Sequence, residues 1–372
     1  MPEQLTPELH SIADKAERFA KDTLHPLADR LARGEISAAD ARAEVIRQSK
    51  AAGLYRLRQP AEVGGDAADT LTLVVVRDAL AAQNPLWFAE VFGPGPGVLV
   101  NAADPLRTTH LLPMLAGDKR GGFGFTEPAD AEHYTRAERD GDDVLVTGRK
   151  SYVTAGADAT FINVLADVGD EGRAFVVVDT DRPGVSHERL FDSIDGTRHA
   201  AFRFDGVRVP ATHVVDMPGQ GMSKAMRQIG DVRIMMAAEA VGRGRWIVDY
   251  LTGHLRTHEA RKGASEAIRL RYGDLRIKLY AARSALYRAA RLANTGANVV
   301  NEGIAAKAFA TETLSELVDT AMQLVGGAAL ETEHPLARLH QTTRILRVAE
   351  GLTDVLRLNI ARGALDLDKG TL

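Results

Sequence analysis

The hydrophobic pattern of this 372-residue chain changes period twice, and these changes limit the possible folds more than any single motif does. Up to about residue 118, apolar residues recur at helical intervals, beginning with the stripe that follows Thr6. After Lys119 the pattern becomes short β-rich runs, separated by turn signals such as Asp140-Gly141. Helical spacing returns after Gly221. The order predicts an α+β fold in which a β segment follows one helical segment and precedes another.

Three domains are expected, because 372 residues exceed the usual size of a single hydrophobic core. We expect an N-terminal helical domain at residues 1–118, a middle antiparallel β-barrel-like domain at 119–222 and a C-terminal four-helix bundle at 223–372. The bundle is predicted from apolar seams that alternate steps of three and four, which are typical of helices packed at shallow angles. One such seam runs through Tyr272, Leu275, Leu279, Ala282, Leu286, Ala289 and Ala293.

Individual elements can be predicted from the same patterns. Besides the first helix, the N-terminal domain is expected to contain helices at 38–52, 70–83 and 106–115. The Gly-Pro repeat at 93–97 lacks the lysine of a phosphate-binding loop, so we interpret it as a turn. Predicted strands lie at 122–126, 144–146, 161–165, 174–178 and 202–204.

Composition and charge exclude several classes of protein. The 46 basic residues nearly balance the 50 acidic ones, so no global field would attract nucleic acid or an anionic membrane. The absence of cysteine removes disulfides, thiolate metal sites and cysteine nucleophiles. The N-terminus lacks the apolar core of a signal peptide, and no apolar run is long enough to cross a bilayer. We therefore expect a soluble, cytoplasmic protein.

Three alternative sites can be weighed from single motifs. His254 and His258 could present two imidazoles on one helix face, but no third ligand follows, so no metal site is predicted. The basic cluster between Arg261 and Lys278 is interrupted by acidic residues, which favours a solvated helix face over a nucleic-acid surface. The chain has no Gly-x-Ser-x-Gly elbow, which disfavours a serine hydrolase.

Glu350 is the candidate catalytic residue, since it precedes Gly351 and an apolar helical run from Thr353 to Leu365. The run is expected to pack one face inward, with Thr353 or Asp354 accepting hydrogen bonds from the amides that open the helix. A carboxylate that is partly desolvated beside such a run has a raised pKa and can accept a proton near neutral pH. From this stretch alone, the simpler interpretation is a solvated acid at a helix end.

The same stretch resembles the C-terminal signature of the acyl-CoA dehydrogenase family. That signature places a Gln-x-x-Gly-Gly, a Pro, an Arg-rich turn and a Glu-Gly before the last long helix. The matching residues are Gln323, Gly326, Gly327, Pro335, Arg338, Arg344, Glu350, Gly351, Arg357, Ile360, Ala361 and Arg362. Further segments that resemble family motifs, in the family's order, are Phe125-Thr126-Glu127-Pro128, Gly148-x-Lys150-x-Tyr152-Val153-Thr154 and Val207-Arg208-Val209-Pro210. The resemblance therefore covers almost the whole chain.

The resemblance implies an FAD-dependent dehydrogenase that makes an α,β-double bond in an acyl thioester carried by CoA or by a carrier protein. In the family, FAD lies between the β domain and the bundle, and flavin N5 accepts the hydride. Glu350 would remove the α-proton, and its main-chain N–H would help bind the thioester oxygen. Val232 occupies the position of the base in part of the family and cannot accept a proton. Electrons would pass to an electron-transfer flavoprotein.

Further site residues are implied by their place in the matched motifs. On the substrate side these are Arg233, Ala349 and Gly351. The implied FAD contacts are Phe125, Thr126, Tyr152, Thr154, Arg256, Gln323, Gly326, Gly327 and Asp354. Gln323 and the two glycines resemble the segment that reaches the FAD of a neighbouring subunit, which implies a homodimer or homotetramer. Each Thr or Tyr could also be an ordinary strand residue.

The chain departs from the family pattern at several positions. The loop after Pro128 is shortened, and Arg256 matches the family's pyrophosphate-binding arginine only with a one-residue gap. Ala349 replaces a frequent Tyr and would widen the acyl cavity beside the base. Two alternative functions follow, namely a flavin-dependent oxidase or monooxygenase on the same fold and a non-catalytic flavin-binding protein.

Overall fold

A computed structural model describes residues 4–169, 172–215, 221–257, 265–367 and 372. The chain packs into two compact units. The helical unit comprises Met1–Arg58, Asp66–Phe92 and Ile229–Leu372, and the β unit comprises Gln59–Gly65 and Gly93–Gln228. Along the chain the order of elements is helical, β and helical, which confirms the predicted α+β fold.

Most helices begin and end close to their predicted limits, but the helix predicted at 106–115 is α-helical only from Leu112, because Arg107–Leu111 form a π-helical segment. In chain order they are α1 (Pro7–Phe19), α2 (His25–Ala32), α3 (Ala38–Ala51), α4 (Thr70–Ala81), α5 (Leu112–Ala116), α6 (Gly221–Arg256), α7 (Glu266–Asn294), α8 (Val300–Val325), α9 (Pro335–Arg344) and α10 (Thr353–Asp366). Thr6, Ser37 and Asp69 each accept a hydrogen bond from an amide three residues further on. These caps explain why the starts of α1, α3 and α4 could be predicted from the sequence.

One continuous core joins the helices of the helical unit, and most of it comes from α1, α4, α6, α7 and α8. Helix α6 contributes a face of buried alanines that includes Ala237 and Ala238. Its Gly242 lies so near α4 that a Cβ there would come within 2.5 Å of the carbonyl oxygen of Asp78. The small residues therefore let α6 and α4 pack backbone against backbone.

Helix α10 corrects one prediction, because most of its apolar residues are not buried. Only Thr353 and Leu356 are buried among its described residues, whereas Val355, Leu358 and Leu365 are exposed. The periodicity predicted the helix correctly but not how much of its apolar face would be covered. The physical reason is that α10 packs mainly on α8, which covers only a narrow part of its surface.

The β unit contains an eight-stranded sheet within the described residues. Its strands are β1 (Gly121–Gly124), β2 (Arg136–Asp140), β3 (Asp143–Val153), β4 (Phe161–Asp167), β5 (Arg173–Asp179), β6 (Val185–Asp192), β7 (Arg198–Pro210) and β8 (Val214–Val215). The order in the sheet is β6-β7-β3-β2-β4-β5-β8, and β1 pairs with β4. Helix α5 packs in the same unit, where Met114 and Leu115 belong to one buried hydrophobic cluster with Phe161 and Leu165.

The prediction of an antiparallel, barrel-like sheet is corrected in its details. Strands β1 and β2 both pair parallel with β4. Strand β3 runs antiparallel to β2, and the chain reverses again before β4. Strands β2 and β4 therefore run in the same direction. Among the described residues the edge strands β6 and β8 do not pair with each other, so the sheet is open.

The five predicted strands are confirmed as β1, β3, β4, β5 and β7, whereas β2, β6 and the two-residue strand β8 were missed. Strand β2 is mostly charged, and β6 is an edge strand with mostly exposed side chains. Neither has the apolar run that reveals a buried strand in a sequence. Within the described part of the chain, no helix has both the length and the apolar content needed to span a bilayer.

Candidate active site

Glu350 and Gly351 form a strained turn between the 3₁₀ segment Ile345–Arg347 and α10. Glu350 has a φ of 56°, in the left-handed region that costs a non-glycine residue about 1–2 kcal/mol. Gly351 follows with a φ of 113°, and a Cβ there would meet Leu356 at 3.0 Å. This position therefore requires glycine. Strain of this kind persists only where the surroundings hold it, and it is common at active sites.

Two cationic side chains hold the turn through its main-chain oxygens. Arg233 on α6 donates from Nε to the carbonyl oxygen of Glu350 at 3.0 Å. Lys307 on α8 donates from Nζ to the carbonyl oxygen of Gly351 at 2.9 Å. Because these carbonyls are consecutive, the two hydrogen bonds fix the peptide planes on both sides of Gly351. They thereby hold the main chain of the turn that carries Glu350.

The carboxylate of Glu350 is partly buried, and no described residue donates a hydrogen bond to it. Burial raises the pKa of this carboxyl group, while the charges of Arg233 and Lys307 oppose the rise. Burial and then the charge of Arg233 lower the pKa of Lys307 to about 8. This environment differs from the solvated helix end that the isolated stretch favoured, and it suits a proton acceptor.

The residues around the turn depart from the capping prediction. Neither Thr353 nor Asp354 caps α10, because its N-cap residue is Leu352, which makes no side-chain capping hydrogen bond. The hydroxyl of Thr353 instead donates to the carbonyl oxygen of Arg347 at 3.3 Å. Asp354 is exposed and forms a surface ion pair. Ala349 packs, partly buried, against the helical core.

In the β unit, Thr126 and Tyr152 lie on adjacent segments. The amide of Ser151 donates to the carbonyl oxygen of Thr126 at 2.9 Å, which joins the segment after β1 to the end of β3. Tyr152 has a φ of 54° and lies where the pairing of β3 with β7 is irregular. Its ring packs edge-on against Phe191. The side chains of Thr126, Tyr152 and Thr154 are exposed, so two hydroxyls and an aromatic ring are presented at one end of β3.

A buried ion pair fixes this end of the sheet. Lys150 Nζ donates to a carboxylate oxygen of Glu127 at 2.6 Å, and the same oxygen accepts the amide of Thr135 at 2.9 Å. The Lys150 side chain is almost fully buried, so its charge requires a partner. Burial lowers the pKa of Lys150, and the hydrogen bond that Lys150 donates to Glu127 opposes that shift. The pair thus ties the Thr-Glu-Pro segment to β3.

The other implied FAD contacts are distributed over both units. Phe125 is partly buried and stacks parallel to Phe123, with ring centroids 5.9 Å apart. Gln323 is exposed near the C-terminal end of α8, and the glycines at 326–327 follow directly, with 327 exposed. Arg256 is exposed at the last residue of α6.

The pair of histidines considered as a metal site, His254 and His258, cannot be compared with the structure, because His258 lies outside the described residues. Arg261 of the basic cluster also lies outside them. Among the residues that the structure describes, no group of three or more His, Cys, Asp or Glu side chains is arranged to bind a metal ion. His254 instead stacks on the ring of Tyr250 in α6.

Sequence analysis missed Lys307, although its position carried a signal. Lys307 lies four residues after Gly303 and four before Thr311, on a helix whose buried residues recur at such intervals. A lysine on the apolar face of an alanine-rich helix is unusual, because burial of an ammonium group is costly. Periodicity could have marked Lys307 as a buried cation in need of a partner, but it could not have identified Gly351.

Comparison with known families decides how these sites are to be interpreted. Family models for the N-terminal, middle and C-terminal domains of acyl-CoA dehydrogenase match residues 6–116, 122–207 and 219–365. This chain belongs to the acyl-CoA dehydrogenase family. As a family member it is an FAD-dependent oxidoreductase that acts on CH–CH bonds, which confirms the resemblance and the predicted cofactor.

Acyl-CoA dehydrogenase relatives match at modest identity over nearly the full length. A 3-(aryl)acrylate reductase from Clostridium sporogenes is 26% identical over 376 residues, which cover 96% of this chain and 99% of that protein. The crystal structure of a probable acyl CoA dehydrogenase from Mycobacterium abscessus is 26% identical, with a TM-score of 0.84 over 96% of this chain and 98% of that chain. A glutaryl-CoA dehydrogenase from Mycobacterium smegmatis in complex with FADH2 shares the fold at 18% identity, with a TM-score of 0.84 over 99% and 97% of the two chains.

Proposed function

We propose that this acyl-CoA dehydrogenase family member oxidises an acyl thioester to its α,β-unsaturated form, with Glu350 as the base that removes the α-proton. The observation that carries the proposal is the strained turn at Glu350. Arg233 and Lys307 hold its main chain, while no described residue donates a hydrogen bond to its carboxylate. Burial raises the pKa of this carboxyl group toward the range in which a general base is most effective at neutral pH.

The reaction breaks two C–H bonds of the substrate. Glu350 takes the α-proton onto its carboxylate, and the electron pair of that bond becomes part of the new C=C bond. The amide N–H of Glu350 donates to no described acceptor, so it can bind the thioester oxygen and stabilise the developing enolate. FAD, when bound, supplies the acceptor for the hydride that leaves the β-carbon.

We propose that the residues at the end of β3 contact the flavin ring. Thr126 and Thr154 have exposed hydroxyls with no described partner, and a hydroxyl can both donate to and accept from the polar edge of the flavin. Tyr152 is 63% exposed and offers a flat ring for packing. We further propose Phe125, Arg256, Gln323 and the adjacent glycines as FAD contacts, as the family motifs imply.

The substrate proposal follows from the small side chain beside the base. Because Ala349 has only a methyl group and adjoins Glu350 in the chain, we propose that the substrate carries a branched or aryl-substituted acyl chain. CoA and a carrier protein share the pantetheine thioester, so both are proposed as carriers. We propose an electron-transfer flavoprotein as the electron acceptor, because the family resemblance implies it.

The proposal is tested by adding acyl thioesters to the FAD-bound protein without oxygen. Thioesters of CoA and of a carrier protein should bleach the flavin absorbance, whereas the matching free acids should not. Aryl-propionyl thioesters belong in the series, since a relative that is 26% identical is a 3-(aryl)acrylate reductase. If no thioester bleaches the flavin and a substrate without a thioester does so, an oxidase or monooxygenase is favoured.

We also propose a homo-oligomer, supported by uncovered apolar residues in the helical unit. Leu270, Ile277 and Tyr280 form an exposed stripe on α7, where Ile277 is 69% exposed. Large apolar stripes on a protein surface commonly mark interfaces. Ile277→Asp should therefore lower the oligomeric mass measured by light scattering, because it places a charge within the contact. The control is Ile194→Asp, which adds the same charge at an exposed apolar residue of the β unit, and an equal mass for both variants would contradict this interface.

A further inference from the structure

Lys307 is a fully buried cation directly beneath the Glu350 turn. Its exposed fraction is 0%, and its Nζ donates at 2.9 Å to the carbonyl oxygen of Gly351, the residue that follows Glu350. Packing alone does not require a charge here, because methionine has a similar length and is apolar. A buried ammonium group is retained only where its neighbours compensate for the lost hydration.

Four charged groups act on Lys307 from the elements around it. Arg233 from α6 and Arg347 from the 3₁₀ segment are positive. Glu350 from the turn and Glu312 from α8 itself are negative. Glu312 already pairs with Arg347 at 3.5 Å and with an arginine of α10. Among the described residues, Glu350 is therefore the carboxylate that balances the charges of Lys307 and Arg233.

We propose that Lys307 is a positioning residue for Glu350. The ammonium group of Lys307 holds the carbonyl of Gly351, and its positive charge favours the ionised carboxylate of Glu350. The inference rests on the proposed role of Glu350 as base. Lys307 does not touch the substrate in this scheme. It keeps the strained turn in its left-handed conformation, and it keeps the base deprotonated at a lower pH than burial alone would allow.

The first test compares the pH dependence of flavin reduction by an acyl thioester in the unmodified protein and in two variants of Lys307, all with FAD bound. Lys307→Met removes both the donor and the charge, whereas Lys307→Gln removes the charge and keeps an N–H donor. In both variants the pH at which the rate is half-maximal should rise by about one unit, because an opposite charge that lowered the pKa of Glu350 is gone. The rate at its pH optimum should fall more in Lys307→Met than in Lys307→Gln, since only the former loses the hydrogen bond to Gly351.

Thr311→Val is the matched control for these variants. Thr311 is also fully buried on α8, and its hydroxyl donates within the helix to the carbonyl oxygen of Lys307 at 2.9 Å. It therefore imposes a similar packing change without touching the Glu350 turn. A pH profile that moves equally in Thr311→Val and Lys307→Met would overturn the proposal, as would a profile that does not move in either Lys307 variant.

A second test needs no substrate and separates this inference from the proposed function. The raised pKa of Glu350 means that the folded protein binds more protons than the unfolded chain above the unfolded pKa of Glu. The difference in the free energy of unfolding between the unmodified protein and Glu350→Gln must therefore fall as the pH rises from the unfolded pKa of Glu to the raised pKa of Glu350 in the folded protein. In a Lys307→Met background the fall should continue to higher pH, which denaturant unfolding at a series of pH values would measure.

The two readouts have distinct meanings. In the first case, the pH range over which the stability falls moves in the Lys307→Met background, but no thioester bleaches the flavin of the unmodified protein. Lys307 then still lowers the pKa of Glu350, and the proposed dehydrogenation is wrong. If thioesters bleach the flavin but neither this pH range nor the pH profile moves, Glu350 remains the base and Lys307 serves only to pack the bundle.

Discussion

Glu350→Gln is expected to lower the rate of flavin reduction by an acyl thioester by about 10²- to 10⁴-fold, the usual contribution of a general base. The substitution preserves side-chain volume, but an amide cannot accept the α-proton. The contacts of Arg233 and Lys307 are made to main-chain oxygens, so the turn itself should persist. FAD should remain bound, and anaerobic stopped-flow absorbance would measure the rate directly.

Glu316→Gln provides the control for this substitution. Glu316 lies on the exposed side of α8 and accepts a hydrogen bond from Lys278, so the same chemical change occurs on the same helical unit away from the turn. Its rate of flavin reduction should match that of the unmodified protein. A Glu350→Gln protein that is reduced as fast as Glu316→Gln would show that another group takes the proton.

Local signals explain why much of the fold could be predicted. The starts of α3 and α4 are determined by Ser37 and Asp69, whose side chains cap the helix within three residues. Burial on both faces gives β4 and β5 their continuous apolar runs. Strand β6 lacks such a signal, because its pairing with β7 is made by the backbone at a sheet edge. The parallel pairing of β1 with β4 joins segments that are distant in sequence, so no local pattern reveals it.

The candidate site could be predicted only where a motif marks it. Glu350 and Gly351 were found through the Glu-Gly signature, but the left-handed backbone at Glu350 is invisible in the sequence. It depends on donors from Arg233 and Lys307, which come from two other helices. The exposed apolar face of α10 shows the same limit, since periodicity predicts a face but not what covers it.

Asp78→Ala is expected to lower the free energy of unfolding by about 3–5 kcal/mol, the usual effect of breaking a buried ion pair. Asp78 on α4 is 1% exposed. It accepts hydrogen bonds or ion-pair contacts from Arg245 at 3.0 Å, Arg283 at 3.1 Å and the hydroxyl of Tyr287 at 2.8 Å. Removing the carboxylate leaves the positive charges of Arg245 and Arg283 close together in the core, without the Asp78 anion that pairs with both. Denaturant unfolding followed by circular dichroism would measure the loss.

Two further variants separate charge from cavity formation and from surface pairing. Asp78→Asn keeps the side-chain volume and should still be strongly destabilised, because the lost charge and not the cavity dominates. Asp274→Ala removes a largely exposed carboxylate that pairs with Lys278 at 2.8 Å, and it should cost at most about 1 kcal/mol. Equal, small losses for Asp78→Asn and Asp274→Ala would contradict the role of Asp78. If Asp78→Asn alone is strongly destabilised, a buried carboxylate anchors α6, the helix that also carries Arg233 to the Glu350 turn.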